Sequence, residues 1–127
     1  MSYATKDTQF FNISEIAKSL SSYDYINKVL YWVEDCKDNI IDYMNKNLGK
    51  CDALLLFCSP NSIDSEPVKK EWTAAESLNK PIIPIFIKKS HIPPLLSSRE
   101  GIEFDPFEFQ KNIQNLYKLI LKKVQYN

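Results

Sequence analysis

Apolar residues occur along the chain in two different patterns, continuous runs and repeats of three or four residues. Four runs of apolar, β-branched or aromatic residues predict strands, at residues 29–33, 53–58, 82–87 and 102–104. Four segments with an apolar side chain every three or four residues predict helices, at residues 13–20, 40–48, 68–78 and 106–124. The run 53–58 is continuously apolar, which is typical of a strand that is buried on both faces.

Strands that alternate with helices predict an α/β fold, an open and mostly parallel sheet with helices on both faces. Pro84 lies inside the 82–87 strand and cannot donate to a ladder, so we expect that strand toward a sheet edge or at a bulge. Ligands of such sheets bind beyond the carboxyl ends of the strands. Three predicted loops leave that edge, at residues 34–39, 59–65 and 88–96.

One helix carries a charged residue on its apolar side. Ser65 or Asp64 can cap this helix, and Pro67 fits its first turn. Glu71 falls within the arc of apolar side chains, near the end of the buried strand. Two interpretations are open, a glutamate that flanks the core with its tip in water and a carboxylate placed over the ligand-binding edge.

Length and charge exclude several classes of protein. The 127 residues suffice for one domain with a core, and 16 basic residues balance 16 acidic ones. A neutral chain does not predict a nucleic-acid surface. No apolar run has the length of a membrane span, and the first residues do not resemble a signal peptide.

Cysteine, histidine and glycine usage excludes several kinds of site. The three cysteines are an odd number without paired spacing, and His91 is the single histidine, so we expect no metal site and a reducing cytosol. Cys58 ends the buried strand and is interpreted as a small hydrophobic residue. Gly49 and Gly101 are the only glycines, which excludes the P-loop and the GxGxxG fingerprint.

Several segments of the chain form a familiar series. They are CDALLLFCSPNS, SEPVKKEWTAA, KPIIPIFI and IPPLL, with SYATKD, YWVED and EGIEFDPF elsewhere in the chain. In this order and spacing, they resemble the Toll/interleukin-1 receptor (TIR) domain family, most closely its bacterial and archaeal members. The resemblance implies a flavodoxin-like parallel sheet of about five strands flanked by helices. Only Met1-Ser2-Tyr3 matches the first strand, so that strand is expected to be largely missing. A fragment, a misplaced start and a gap filled by a partner chain are the three explanations.

The resemblance also implies an activity. Many family members cleave NAD at the nicotinamide–ribose bond, with an essential glutamate on the helix after the third strand; the matching residue is Glu71. NAD is then a substrate, and no cofactor or metal is expected. The residues expected to bind it are Tyr3, Lys6, Tyr31, Trp32, Ser59, Asn61 and Trp72. Many enzymatic members carry Trp four residues before the glutamate, where this chain has Pro67.

Two functions follow from the resemblance, and a third belongs to another enzyme on a similar sheet. The first is a cytoplasmic NAD nucleosidase of prokaryotic defence, which releases ADP-ribose or a cyclised form of it. The second is a non-enzymatic signalling module that self-associates with other TIR domains. The third is another enzyme of N-glycosidic bonds, such as a nucleoside deoxyribosyltransferase, although the SPNS and PIIPIF segments favour the TIR family. Nucleic acid and membrane are not expected partners.

Overall fold

The computed structural model describes residues 1–24, 26, 29 and 52–125. The helices are α1 (Ile13–Ser21), α2 (Pro60–Ile63), α3 (Glu66–Ser77) and α4 (Phe109–Gln125). The strands are β1 (Leu54–Cys58), β2 (Ile82–Phe86) and β3 (Ile102–Glu103), and short 3₁₀ turns span Thr5–Asp7, Lys89–His91 and Pro94–Leu96. The predicted helix at 40–48 and all but Val29 of the predicted strand at 29–33 lie outside the described residues.

The three strands form a parallel sheet in the order β1-β2-β3. Leu54 pairs with Ile82, and the five residues of β1 continue in register with those of β2. On the other side of β1, Ser2 makes an isolated parallel bridge to Leu56. A parallel sheet flanked by helices confirms the predicted fold class, and the first-strand segment 1–3 lies beside β1.

Helices cover both faces of this sheet. Side chains alternate along a strand, so an apolar strand presents side chains to a core on each face. Leu55 and Phe57 point into one core, which they share with residues of α1 and α4. Leu54, Leu56 and Cys58 point into a second core on the other face, against α3. All five residues of β1 are therefore buried, as the continuous apolar run predicts. The predicted apolar stripe of α1 is also confirmed, and its buried residues are Ile13, Ile16, Ala17 and Leu20.

The predicted edge or bulge position of Pro84 is wrong, because β2 lies between β1 and β3 and Pro84 pairs with Leu56 in a continuous register. Backbone groups of a strand alternate between its two neighbours. Phe86 accepts a hydrogen bond from the N–H of Phe104 on the β3 side, so Pro84, two residues earlier, turns its missing donor to that side. The β3 ladder starts only at the Ile85–Ile102 pair. The missing donor therefore falls just ahead of the ladder and breaks no bond in it.

Two further boundaries differ from prediction. Ser-Pro-Asn-Ser, expected as a turn, opens the one-turn helix α2. The last helix begins at Phe109 and not at Pro106. The reason is local, since Asp105 accepts a side-chain hydrogen bond from the N–H of Phe107 and a backbone bond from Glu108. These bonds hold a turn that precedes the helix.

Candidate functional site

Polar side chains from two loops meet beyond the carboxyl end of β1. The 3₁₀ turn that follows the first-strand segment ends at Asp7, which is only 4% exposed. The Asn61 side-chain amide donates to its Oδ1 at 2.8 Å. The Ser59 hydroxyl donates to its other oxygen, Oδ2. Both oxygens of this buried carboxylate are therefore satisfied, and the two loops are tied together.

Ser59 is positioned by the start of helix α2. Its hydroxyl oxygen accepts from the N–H of Ser62 at 3.0 Å, and its own N–H donates to the Ser62 hydroxyl at 2.8 Å. This reciprocal capping box fixes the Ser59 side chain. Because its single hydroxyl hydrogen goes to Asp7, Ser59 has no further hydrogen to donate in this arrangement. Among the residues that the structure describes, Asn61 makes one side-chain hydrogen bond, to Asp7, so its carbonyl oxygen and second amide hydrogen can bind a ligand.

Glu71 lies on helix α3, which begins as predicted. Ser65 is the N-cap and accepts from the N–H of Val68 at 3.4 Å, and Pro67 stands in the first turn. Glu71 follows Val68 by three residues and precedes Ala75 by four, so it shares their face of the helix. Both of those residues are buried against β1 and β2. Glu71 itself is half-buried, a carboxylate at the margin of an apolar core.

The surroundings of Glu71 alter its protonation. Burial raises the pKa of its carboxyl group above the usual value, because desolvation disfavours the charged form. The Ser2 hydroxyl and the amino group of Met1 act in the opposite direction and partly offset that rise in pKa. Glu71 therefore holds a proton at higher pH than an exposed glutamate does.

The two groups of residues lie in succession along the same strand. Ser2, beside Glu71, is bridged to Leu56, and Ser59 comes three residues later. At about 3.3 Å per residue of a parallel strand, the separation along β1 is about 10 Å. A small molecule about 10 Å long, with a polar group at each end, could therefore contact both the Glu71 carboxylate and the loops.

The other predicted binding residues are dispersed. Tyr3 is half-buried and packs against the core of α1 and α4, on the opposite sheet face from Glu71. Lys6 is exposed in the 3₁₀ turn before Asp7. Trp72 is 8% exposed and packs in the α3 core, so little of its ring is open to a ligand. Tyr31 and Trp32 lie outside the described residues.

Asp7 and Ser2 were not among the predicted site residues. An acidic residue in a loop that leaves the carboxyl edge of a parallel sheet is a signal that could have identified Asp7. Ser2 carries no such signal, because a single serine in a strand is ordinary. Its importance depends on the bridge to Leu56 and on the neighbouring helix.

A cleft of about 570 Å³ opens at the other edge of the sheet. Asp52 and Pro81, which precede β1 and β2, line it, so it lies at the amino ends of the strands. Arg99 and Glu76 form an ion pair on its wall. None of the predicted binding residues lines this cleft.

Residues 1–24 and 52–125, with 26 and 29, contain no group of three His, Cys, Asp or Glu side chains arranged to hold a metal ion. In those same residues, no helix combines the length and the apolar character that a membrane span requires.

Comparison with known proteins identifies the family. A family model of the TIR domain matches residues 1–117. The chain also resembles the crystal structure of the TIR domain of the Toll-related receptor TRR-2 from Hydra magnipapillata, with a TM-score of 0.69 and 17% identity over 94% of each chain. Among curated proteins, no match was found. Since the family model covers most of its length, the chain belongs to the TIR domain family.

Proposed function

We propose that this TIR domain is an NAD nucleosidase that cleaves the nicotinamide–ribose bond, with Glu71 as its catalytic residue. The observation that carries the proposal is the half-buried Glu71 carboxylate on the apolar face of α3, beside Ser2, which is bridged to Leu56 in the middle of β1. A carboxylate there faces less solvent screening than one at the surface. It is the kind of group that stabilises positive charge on a reacting sugar.

The proposed reaction needs one carboxylate and no acid. The bond between the ribose anomeric carbon and the nicotinamide nitrogen breaks, and its electron pair neutralises the cationic ring of the leaving nicotinamide. Positive charge builds on the ribose, as in glycoside cleavage. A water oxygen then bonds to the anomeric carbon and loses a proton, which gives ADP-ribose. Attack by a nitrogen of the adenine ring in place of water gives a cyclised product.

Glu71 acts in its charged form in this reaction. Its carboxylate stabilises the oxocarbenium-like transition state or orients a ribose hydroxyl, with a contribution of about 3 kcal/mol to the barrier by analogy with single-group deletions in other enzymes. Because burial raises its pKa, turnover increases with pH as Glu71 loses its proton.

The loops beyond β1 supply the remaining contacts in this proposal. Asn61 bonds a ribose hydroxyl through the groups that Asp7 does not use, and the exposed Lys6 meets the phosphates. Ser59 serves through its bond to Asp7, which holds the loops in place. Because Pro67 stands where a stacking Trp is common in the family, the base stacks on Tyr31 or Trp32.

The test is an incubation with NAD at high protein concentration, with and without induced clustering, because enzymatic TIR domains often need a neighbour to complete their site. Nicotinamide release and the identity of the ADP-ribose product are followed in the same samples. Release that depends on Glu71 supports the proposal. No nicotinamide from the clustered wild-type protein would overturn it.

A second function, assembly through TIR–TIR contacts in signalling, is favoured by two exposed apolar side chains. Phe107 is 94% exposed in the turn after β3, and Leu95 is 80% exposed in the 3₁₀ turn Pro94–Leu96 after β2. Aromatic side chains such as Phe107 are enriched at interfaces between proteins. Light scattering of the wild type and of Phe107→Ser tests this function. We expect the wild type to self-associate more strongly, and equal masses at every concentration would argue against it.

A further inference from the structure

The backbone of Ser2 is fixed by strand β1. Its N–H donates to the carbonyl of Leu55 at 2.7 Å, and its carbonyl accepts from the N–H of Phe57 at 2.9 Å. These two bonds place Ser2 opposite Leu56 in the parallel bridge. Only the side-chain torsion of Ser2 is left to vary.

The Ser2 side chain faces helix α3. Bridged residues of adjacent strands direct their side chains to the same sheet face, and Leu56 packs with Val68 and Trp72 of α3. Glu71 lies between those two residues in the sequence and on the same side of the helix. The Ser2 hydroxyl is therefore close to the Glu71 carboxyl group, and it lowers the pKa of that group.

Within residues 1–24 and 52–125, the Ser2 hydroxyl completes no hydrogen bond. Ser2 is 0% exposed, and its Oγ is buried without a hydrogen-bond partner among the described residues. A buried hydroxyl that makes no bond costs stability. The Glu71 carboxylate oxygens are acceptors next to it, and catalytic hydrogen bonds are often loose before substrate binds.

We propose that Ser2 is a positioning residue whose hydroxyl donates to the Glu71 carboxylate and holds it in one orientation toward the substrate. The inference rests on the proposed function, since it gives Ser2 a part in the same reaction. Ser2 itself touches no substrate. Its contribution is to limit the carboxylate to the orientation that faces the ribose, so that less ordering is needed during the reaction.

The pKa of Glu71 reports on its contact with the Ser2 hydroxyl. The amino group of Met1 acts on Glu71 from the first-strand segment and lowers the pKa of its carboxyl, whereas β1 contributes only apolar side chains. A hydroxyl that donates to the charged form also lowers the pKa of that group. Loss of the Ser2 hydroxyl therefore raises the pKa of Glu71 further, while the effect of Met1 is the same in both proteins.

The test combines a titration with kinetics. Protein labelled with ¹³C at the glutamate carboxyl carbons is titrated by NMR, and the Glu71 signal is assigned by its loss in Glu71→Gln. Wild type, Ser2→Ala and Ser2→Gly are compared, with Ser77→Ala as a control on the same helix, because the Ser77 hydroxyl bonds Thr73 at the exposed end of α3. The kcat and KM for NAD are measured on the same proteins across pH.

The expected result is a higher titration midpoint for Glu71 in both Ser2 variants and an unchanged midpoint in Ser77→Ala. The kcat falls roughly 10-fold while KM is kept, as for loss of a hydrogen bond to a charged group, and the acid limb of the pH profile moves up with the midpoint. An unchanged midpoint overturns the contact, and a shifted midpoint with unchanged kcat overturns its role in the reaction. A wild type that releases no nicotinamide overturns the proposed function, while the titration still decides the contact.

Discussion

Asn61 donates a 2.8 Å hydrogen bond from its side-chain amide to Oδ1 of Asp7, a residue 54 positions earlier in the chain. Asp7 Oδ2 accepts from Ser59, so one buried carboxylate joins the loop after the first-strand segment to the loop after β1. The two loops that border the proposed ligand edge therefore hold a fixed relation to each other.

We expect Asp7→Ala to destabilise the protein by about 2–3 kcal/mol, because it leaves the Ser59 hydroxyl without its acceptor and removes hydrogen bonds to a charged group. Urea denaturation followed by circular dichroism measures the change. Asp64→Ala is the control, since Asp64 is an exposed aspartate at the end of α2. A loss of stability below about 0.5 kcal/mol, the range of an ordinary surface substitution, would show that the hydrogen bonds of Asp7 contribute little to stability.

Glu71 makes stability depend on pH. Its pKa is raised in the folded protein, so the folded state binds more protons than the unfolded state between the two pKa values. The stability present below the ordinary glutamate pKa is therefore lost as pH rises through the folded pKa. Glu71→Gln removes this loss and is more stable than the wild type at neutral pH.

Urea midpoints of both proteins from acid to neutral pH test this expectation. Glu103→Gln is the control, because Glu103 is an exposed carboxylate on β3. Equal slopes of stability against pH for wild type and Glu71→Gln would contradict the desolvation of Glu71.

The Cys58 thiol is protected in the folded protein. It is 1% exposed at the end of β1, and burial raises its pKa to about 12. The thiolate is the reactive form, so we expect alkylation of Cys58 at pH 8 only after unfolding. Peptide mass spectrometry after brief treatment with N-ethylmaleimide measures it. Asp64→Cys adds an exposed thiol as a positive control, and equal labelling of both positions in native protein would refute the expectation.

Gly101 allows close contact between the start of β3 and β2. A Cβ at this position would lie 2.3 Å from the carbonyl oxygen of Pro84, which is backbone and cannot move aside without shifting the strand. We expect Gly101→Ala to cost about 1–3 kcal/mol through overpacking. Ser98→Ala, an exposed position in the preceding loop, is the matched control. Thermal unfolding of the two variants decides the point, and equal midpoints would contradict it.

The features that the sequence predicts well are those that neighbouring residues determine. The apolar run at 53–58 is the buried strand β1, the stripe of α1 is buried, and Ser65 caps the helix that carries Glu71. Each of these depends on periodicity or on capping within a few residues. Glu71 is identified by the same kind of signal, since it interrupts a helical pattern.

The features that the sequence does not predict depend on distant pairing. Pro84 fits a central strand because of where the β3 ladder starts, and Asp7 is buried because residues more than 50 positions later bond to it. The Ser2 hydroxyl faces Glu71 through a bridge across strands. No local pattern distinguishes these residues from ordinary surface or strand residues.

Nicotinamide release by clustered wild type and clustered Glu71→Gln, measured side by side at saturating NAD, tests the central claim most directly. Gln keeps the shape of the side chain and removes its charge, and urea denaturation confirms that both proteins are folded. We expect the variant to release nicotinamide on the order of 100-fold more slowly, because the charge on the ribose loses its stabilising partner. Equal rates for the two proteins, or no release by the wild type, would contradict the assignment of Glu71 as the catalytic residue.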